Sequence, residues 1–147
     1  MKIRWGIIGC GGIARRRTIP GLVGAANAEL VAVMDTNETF AKEVAAEFGV
    51  KHAFSDLDSL LALPEVDAVY IATPVFCHKD QVIAAANAGK HILLEKPMAM
   101  TSAEAEELKA LCEEKGVRLS IGLMMRFHAY HEEMKRLIAE GAIGDIV

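Results

Sequence analysis

A strand that runs straight into a glycine turn constrains this chain more than any other feature. Ile3 to Ile8 is a short apolar run, interrupted by Arg4 and Gly6, and reads as a buried strand. Gly9, Gly11 and Ala14 follow at G-x-G-x-x-[G/A] spacing, and Gly9-Cys10-Gly11-Gly12-Ile13-Ala14 leads into a helical segment. The spacing has a physical basis. Gly9 permits the tight turn out of the strand, and Gly11 lets the backbone approach a pyrophosphate with no Cβ in the way. Ala14 is small enough for the helix to lie close on the sheet, so that its free N–H groups and dipole face the phosphates. Glycine turns are common, and a lone match does not define a site.

The pattern downstream supplies the frame for that turn. A helix is expected from the turn to about residue 22, with Pro20 either inside it or ending it. Strand, helix, strand, short helix and strand are then expected over residues 29–34, 39–48, 50–54, 55–63 and 67–72. Gly49 stops the first of these helices and Pro64 blocks the second. A helix over 76–88 ends in Gly89, and 91–94 is a fifth strand. Thr101-Ser102-Ala103-Glu104 is a capping box for a helix to Lys115, with Gly116 after it, and 117–122 reads as a sixth strand. A last amphipathic helix, about 129–140, carries Met134, Leu137 and Ile138 at helical spacing. Residues 141–147 look like a turn into a new strand with no partner, so the last helix and that strand would expose apolar surface and favour self-association. Strands and helices alternating with short connections predict an α/β fold, a doubly wound and mostly parallel sheet with helices on both faces. An apolar content of 52% with only 5% aromatics suits the aliphatic core of such a sheet.

Several polar residues fall where that fold carries chemistry. Asp35 ends the second strand roughly 20 residues beyond Ala14, where a dinucleotide fold places the carboxylate that takes the adenosine ribose. It would repel a 2′-phosphate, and its neighbours Thr36 and Asn37 are not cationic, which favours NAD over NADP. Asp35 could equally cap the next helix, as could Asn37 or Thr39. Arg15, Arg16 and Arg17 oppose the helix dipole. They form either a solvated face or, for Arg15, a position near a bound phosphate. Thr73-Pro74-Val75-Phe76-Cys77-His78 follows the fourth strand at the edge where open α/β sheets bind ligands, and Glu95-Lys96-Pro97 follows the fifth. Two charges directly after a buried strand are not explained by packing alone, although a surface Glu–Lys pair would also fit. His131 and Glu132 are adjacent and do not share a helix face, so with His128 they read as helix-surface residues and no metal site is expected.

Taken together, Gly9-Cys10-Gly11-Gly12-Ile13-Ala14, Asp35, Ala72-Thr73-Pro74 with His78, Glu95-Lys96-Pro97, Arg126-Phe127 and Glu140-Gly141-Ala142-Ile143-Gly144 resemble the glucose–fructose oxidoreductase / inositol dehydrogenase (Gfo/Idh/MocA) family. The resemblance implies an NAD(P)-binding Rossmann domain, placed at residues 1–122, with 123–147 as a final helix and the first strand of an absent α/β substrate domain. It implies hydride transfer between nicotinamide and a sugar, polyol or related hydroxy compound. Lys96 would be the catalytic residue, hydrogen-bonding the reacting hydroxyl and stabilising charge on its oxygen. Glu95 would orient Lys96 or contact the nicotinamide ribose, and the Lys96–Pro97 bond would be cis. Thr73, Pro74 and His78, with Ala72, would border the cofactor, as would Arg126. Gly9, Gly11, Gly12, Ile13, Ala14 and Asp35 complete the expected cofactor site. The Asp and His that usually partner the lysine, early in the second domain, have no counterpart here.

An enzyme whose second domain is missing from the sequence is therefore the favoured function, with NAD bound but little turnover expected of these 147 residues. The alternative is a stand-alone dinucleotide-binding module; turnover of a polyol by the chain would exclude it. A CoA-binding Rossmann domain is disfavoured because Asp35 and Glu95-Lys96-Pro97 would be idle. The family resemblance also implies a homo-oligomer. A net charge of −4 points to neither nucleic acid nor a membrane surface, and no apolar run reaches transmembrane length. Cys10, Cys77 and Cys112, odd in number and widely spaced, read as free thiols of a reducing compartment, which makes a cytoplasmic protein the expectation.

Overall fold

The computed structural model describes residues 2–145. The apolar run after the N-terminus forms β1 (Ile3–Ile8), and the glycine turn leads into a helix whose first part, Ala14–Thr18, is π-helical before it continues as α1 (Ile19–Gly24). Then follow β2 (Ala28–Met34), α2 (Glu38–Phe48), β3 (His52–Phe54), α3 (Leu57–Leu61) and β4 (Ala68–Ile71). A 3-10 turn (Val75–Cys77) precedes α4 (His78–Asn87), and β5 (His91–Leu94), α5 (Ser102–Glu114) and β6 (Leu119–Ile121) follow. A second 3-10 turn (Met124–Phe127) and α6 (Ala129–Ala139) come last.

All strand pairs are parallel, in the order β3-β2-β1-β4-β5-β6. This is the doubly wound arrangement in which the connections reverse direction beside β1, opening a crevice at the carboxyl ends of β1 and β4. Each face of the sheet has its own core. Ile8, Val69, Ile71 and Leu94 pack with Leu60 of α3, Val82 of α4 and Leu108 of α5 on one side. On the other, Ile7, Val33 and Tyr70 pack with Ala14, Ile19 and Val44. Burial on both faces is why the strands read as continuous apolar runs.

The element ends differ from the expectation in informative ways. Pro20 lies inside the helix, which runs on to Gly24. A proline has no N–H for the carbonyl four residues back and crowds it. The widened turn lies directly before Pro20, with the Ile19 N–H bonded to the Ala14 carbonyl. β3 and β6 are shorter than expected, three residues each, because they form only the rims of the sheet. Asn37 caps α2 by accepting from the Phe40 N–H at 3.1 Å. α6 packs chiefly against the 3-10 turn before it, and Met134 and Ile138 are exposed. Residues 141–143 form a turn; the strand expected to follow falls partly on 146–147, outside the described residues.

Candidate functional site

The crevice at the carboxyl edge is a cleft of about 380 Å³ lined by Gly9, Gly11, Met34, Asp35, Thr36, Ala72, Thr73, Pro74, Phe76, Cys77 and Gln81. Six of these, Gly9, Gly11, Asp35, Ala72, Thr73 and Pro74, are positions singled out in the sequence. Gly9 turns the chain with φ at +90°, and a Cβ there would stand 2.9 Å from Thr73 Cγ2 and 3.1 Å from the Ala72 carbonyl carbon. Only glycine meets both conditions. Nothing lies within 4 Å of where a Cβ of Gly11 would be, so the turn presents bare backbone to open space. Ala14 is fully buried, seating the helix on the sheet, and does not face the cleft. Gly12 and Ile13 form the exposed shoulder of the turn.

Asp35 joins two loops at the mouth of the cleft. Its Oδ2 accepts from the Cys10 N–H at 3.0 Å and its Oδ1 from the Asn37 N–H at 3.0 Å. The two readings of Asp35 are therefore compatible: it organises the start of α2, where Asn37 is the cap, and it stands in the cleft. Burial first, and the Asp35 charge second, push the Cys10 thiol up to about 12. At neutral pH this thiol is protonated and inert.

Arg15 and Arg16 are placed differently. Arg15 pairs with Glu47 at 2.6 Å and lies over the Phe40 ring, 5.5 Å from its centroid. Arg16 folds back over the turn, with Nη2 2.8 Å from where a Cβ of Gly12 would stand. Arg16, not Arg15, is the cation at the glycine turn.

At the end of β5 the Lys96–Pro97 peptide is cis. Lys96 is exposed, and its side chain makes no hydrogen bond or ion pair among the described residues. Glu95 turns inward, 8% exposed, and bonds to the Tyr70 hydroxyl and the Lys96 N–H. His78 does not line the cleft. Its ring is 1% exposed, with one nitrogen 3.0 Å from the Thr73 carbonyl oxygen and the other 3.0 Å from that of Pro97. It ties together the two loops that face the edge. Arg126 also lies off the cleft. It lies past β6 in a separate depression with Leu123 and Phe127, outside the cleft.

Sequence reasoning missed Met34, Thr36, Phe76, Cys77 and Gln81 as cleft residues. Gln81 lies on α4 and receives the Thr73 hydroxyl at 2.5 Å, a contact one helical turn past the Thr-Pro loop. Phe76, exposed at the cleft, carried one signal that could have been read: a large aromatic in the loop at a strand's carboxyl end. Among the described residues no group of three or more His, Cys, Asp or Glu side chains could hold a metal ion, and no helix is long and apolar enough to cross a membrane.

A parallel sheet of this order, with a bare glycine turn after β1 and a carboxylate after β2, defines a dinucleotide-binding α/β domain. The chain belongs to the Gfo/Idh/MocA oxidoreductase family with an NAD-binding Rossmann fold, whose family model matches residues 3–123. It is 40% identical over 141 residues to a 1,5-anhydro-D-fructose reductase of Ensifer adhaerens, covering 96% of this chain and 42% of that protein. Among solved structures it is similar to the 3-ketoreductase KijD10 of Actinomadura kijaniata, in complex with TDP-benzene and NADP. The TM-score there is 0.94 at 35% identity, over 99% of this chain and 46% of that one. It is also similar to scyllo-inositol dehydrogenase of Lactobacillus casei with bound NAD(H) and scyllo-inositol, at a TM-score of 0.91 and 28% identity, over 99% and 43% of the two chains. The chain thus spans less than half the length of these relatives.

Proposed function

We propose that the chain is the nucleotide-binding part of an NAD(P)-dependent oxidoreductase that moves a hydride between nicotinamide and a hydroxyl-bearing carbon of a sugar, polyol or related compound. The observation that carries this reading is the convergence of four features on one sheet edge. The glycine turn, Asp35, the Thr73 loop and Lys96 follow the carboxyl ends of β1, β2, β4 and β5. Residues 1–122 would form the dinucleotide domain, and 123–147 would lead toward a substrate domain of the kind that the relatives' greater length accommodates.

Gly11, Gly12 and Ile13 would hold the pyrophosphate through backbone N–H groups, with Gly9, whose own N–H is bonded to the Met34 carbonyl, making the turn and Ala14 keeping the helix seated behind them. The bare backbone at Gly11 fits that demand. Asp35 would accept from the adenosine ribose while keeping its bonds to Cys10 and Asn37, since each carboxylate oxygen can accept more than once. Its charge disfavours a 2′-phosphate and supports NAD as the preferred cofactor. Ala72, Thr73 and Pro74 would wall the other side, and His78 would hold that wall to the Lys96–Pro97 loop. Bound NAD supplies the hydride acceptor. Lys96, a donor with no acceptor capacity, would stand at the substrate oxygen and stabilise the negative charge that grows there. Arg126 would act only in an arrangement that brings the segment after β6 over the cleft.

Titration of the chain with NADH and with NADPH, followed by nicotinamide fluorescence or heat, tests the reading. NADH is expected to bind more tightly. Tighter NADPH binding overturns the cofactor assignment, and failure to bind either overturns the function.

A further inference from the structure

We propose that Tyr70 is a positioning residue for Lys96, acting through the buried carboxylate of Glu95. The inference rests on Lys96 being the residue that faces the nicotinamide. It begins with the sheet register. Tyr70 of β4 stands beside Leu93 of β5. Side chains two apart on a strand share a face, so Glu95 projects on the same face as Tyr70, one pleat nearer the carboxyl edge. The phenol spans that step. Its hydroxyl donates to Glu95 Oε1 at 2.5 Å, and the other carboxylate oxygen, Oε2, accepts from the Lys96 N–H at 3.1 Å.

Packing alone does not account for this arrangement. Tyr70 is 2% exposed and Glu95 8%. A buried carboxylate is costly unless its oxygens are hydrogen-bonded, and an apolar residue after β5 would serve the core without that cost. Here one oxygen is held by the core and the other by the peptide from which Lys96 departs. The Lys96 side chain is left exposed, springing from a fixed backbone. Burial, followed by the bond to Glu95, raises the Tyr70 phenol above its ordinary range, which keeps it a donor.

The test is amide hydrogen exchange of the 147-residue chain, read by NMR without nucleotide, for wild type, Tyr70→Phe, Glu95→Ala and Glu95→Gln. Losing one buried hydrogen bond should speed exchange of the Lys96 amide about tenfold in Tyr70→Phe and at least that in Glu95→Ala, with β4 and β5 amides changed less than about twofold. Glu95→Gln keeps an acceptor and should restore most of the protection. Unchanged Lys96 exchange in Tyr70→Phe, or equal acceleration across the whole sheet, overturns the proposal. Should Tyr70→Phe not fold, alkaline titration of wild type at the tyrosinate band decides. Buried Tyr70 should ionise only on unfolding. Its ionisation in the folded protein overturns the proposal. Addition of NADH separates the two layers. A Lys96 side-chain signal unmoved by NADH, with the Tyr70→Phe effect intact, overturns the role given to Lys96 and leaves the Tyr70–Glu95–Lys96 contact standing.

Discussion

Asp35 and Arg16 show how much of the site is decided by single side chains. Asp35 holds Cys10 and Asn37 while facing the cleft, so Asp35→Ala would remove the proposed ribose acceptor and loosen the glycine turn together. Loss of a charged hydrogen-bond partner predicts NADH binding weaker by about tenfold or more, with a smaller loss for NADPH. Equal losses, measured by the same titration, would count against a ribose contact. Arg16 lies over Gly12 with no carboxylate paired to it among the described residues, whereas Arg15 is held by Glu47. Arg16→Ala should weaken NADH binding about three- to tenfold and flatten its dependence on salt, while Arg15→Ala should leave both nearly unchanged. Affinities at low and high ionic strength check this pair. Composition and spacing told the three arginines apart poorly, because which one folds back depends on the pitch of the helix that carries them.

At the scale of elements, local chemistry was legible where a signal was local. Thr101 caps α5 as its sequence suggests, accepting from the Glu104 N–H at 3.2 Å, but Glu104 reaches the Met100 N–H at 3.0 Å, one residue before the cap. Thr101→Ala should lower stability by about 1 kcal/mol, seen as an earlier urea midpoint with unchanged slope. The π-helical stretch was not legible. A proline nine residues after the turn's second glycine is visible, but whether the helix breaks, kinks or widens is settled by what it packs on. Here Ala14 and Ile19 both insert into the core below, and the widened turn lets them do so on either side of the proline's missing bond. The enclosure of His78 was not legible for a related reason. Its position in the Thr-Pro loop was readable, but the inward turn of its ring depends on the Pro97 carbonyl, which another connection brings to it.

Across the whole molecule, the two edges of the sheet do different work. At the amino edge Arg4 and Asp67 form a two-pronged pair, 2.6 and 2.9 Å, joining the start of β1 to the residue before β4. The Arg4 guanidinium holds the Asp67 carboxyl down at about 2, below its ordinary 3.8. A carboxyl depressed in the folded state adds stability above its unfolded value, and that increment disappears as pH falls through the folded one. Asp67→Asn should therefore flatten the stability profile between about pH 4 and pH 2, followed by circular dichroism. The increment is modest, because both side chains are more than a third exposed. The carboxyl edge carries the glycine turn, Asp35, the Thr73 loop and Lys96, the groups proposed to meet the nucleotide. By itself the sequence determined the alternation of strand and helix, the glycine turn, the carboxylate after β2 and the charged pair after β5, because each is written in residues close together along the chain. Only the tertiary structure decided that Tyr70 reaches Glu95, that His78 bridges two loops, that Arg16 covers the turn and that Arg126 stands apart. Those contacts join residues far apart in sequence or depend on how a helix seats, and strand order and register set them.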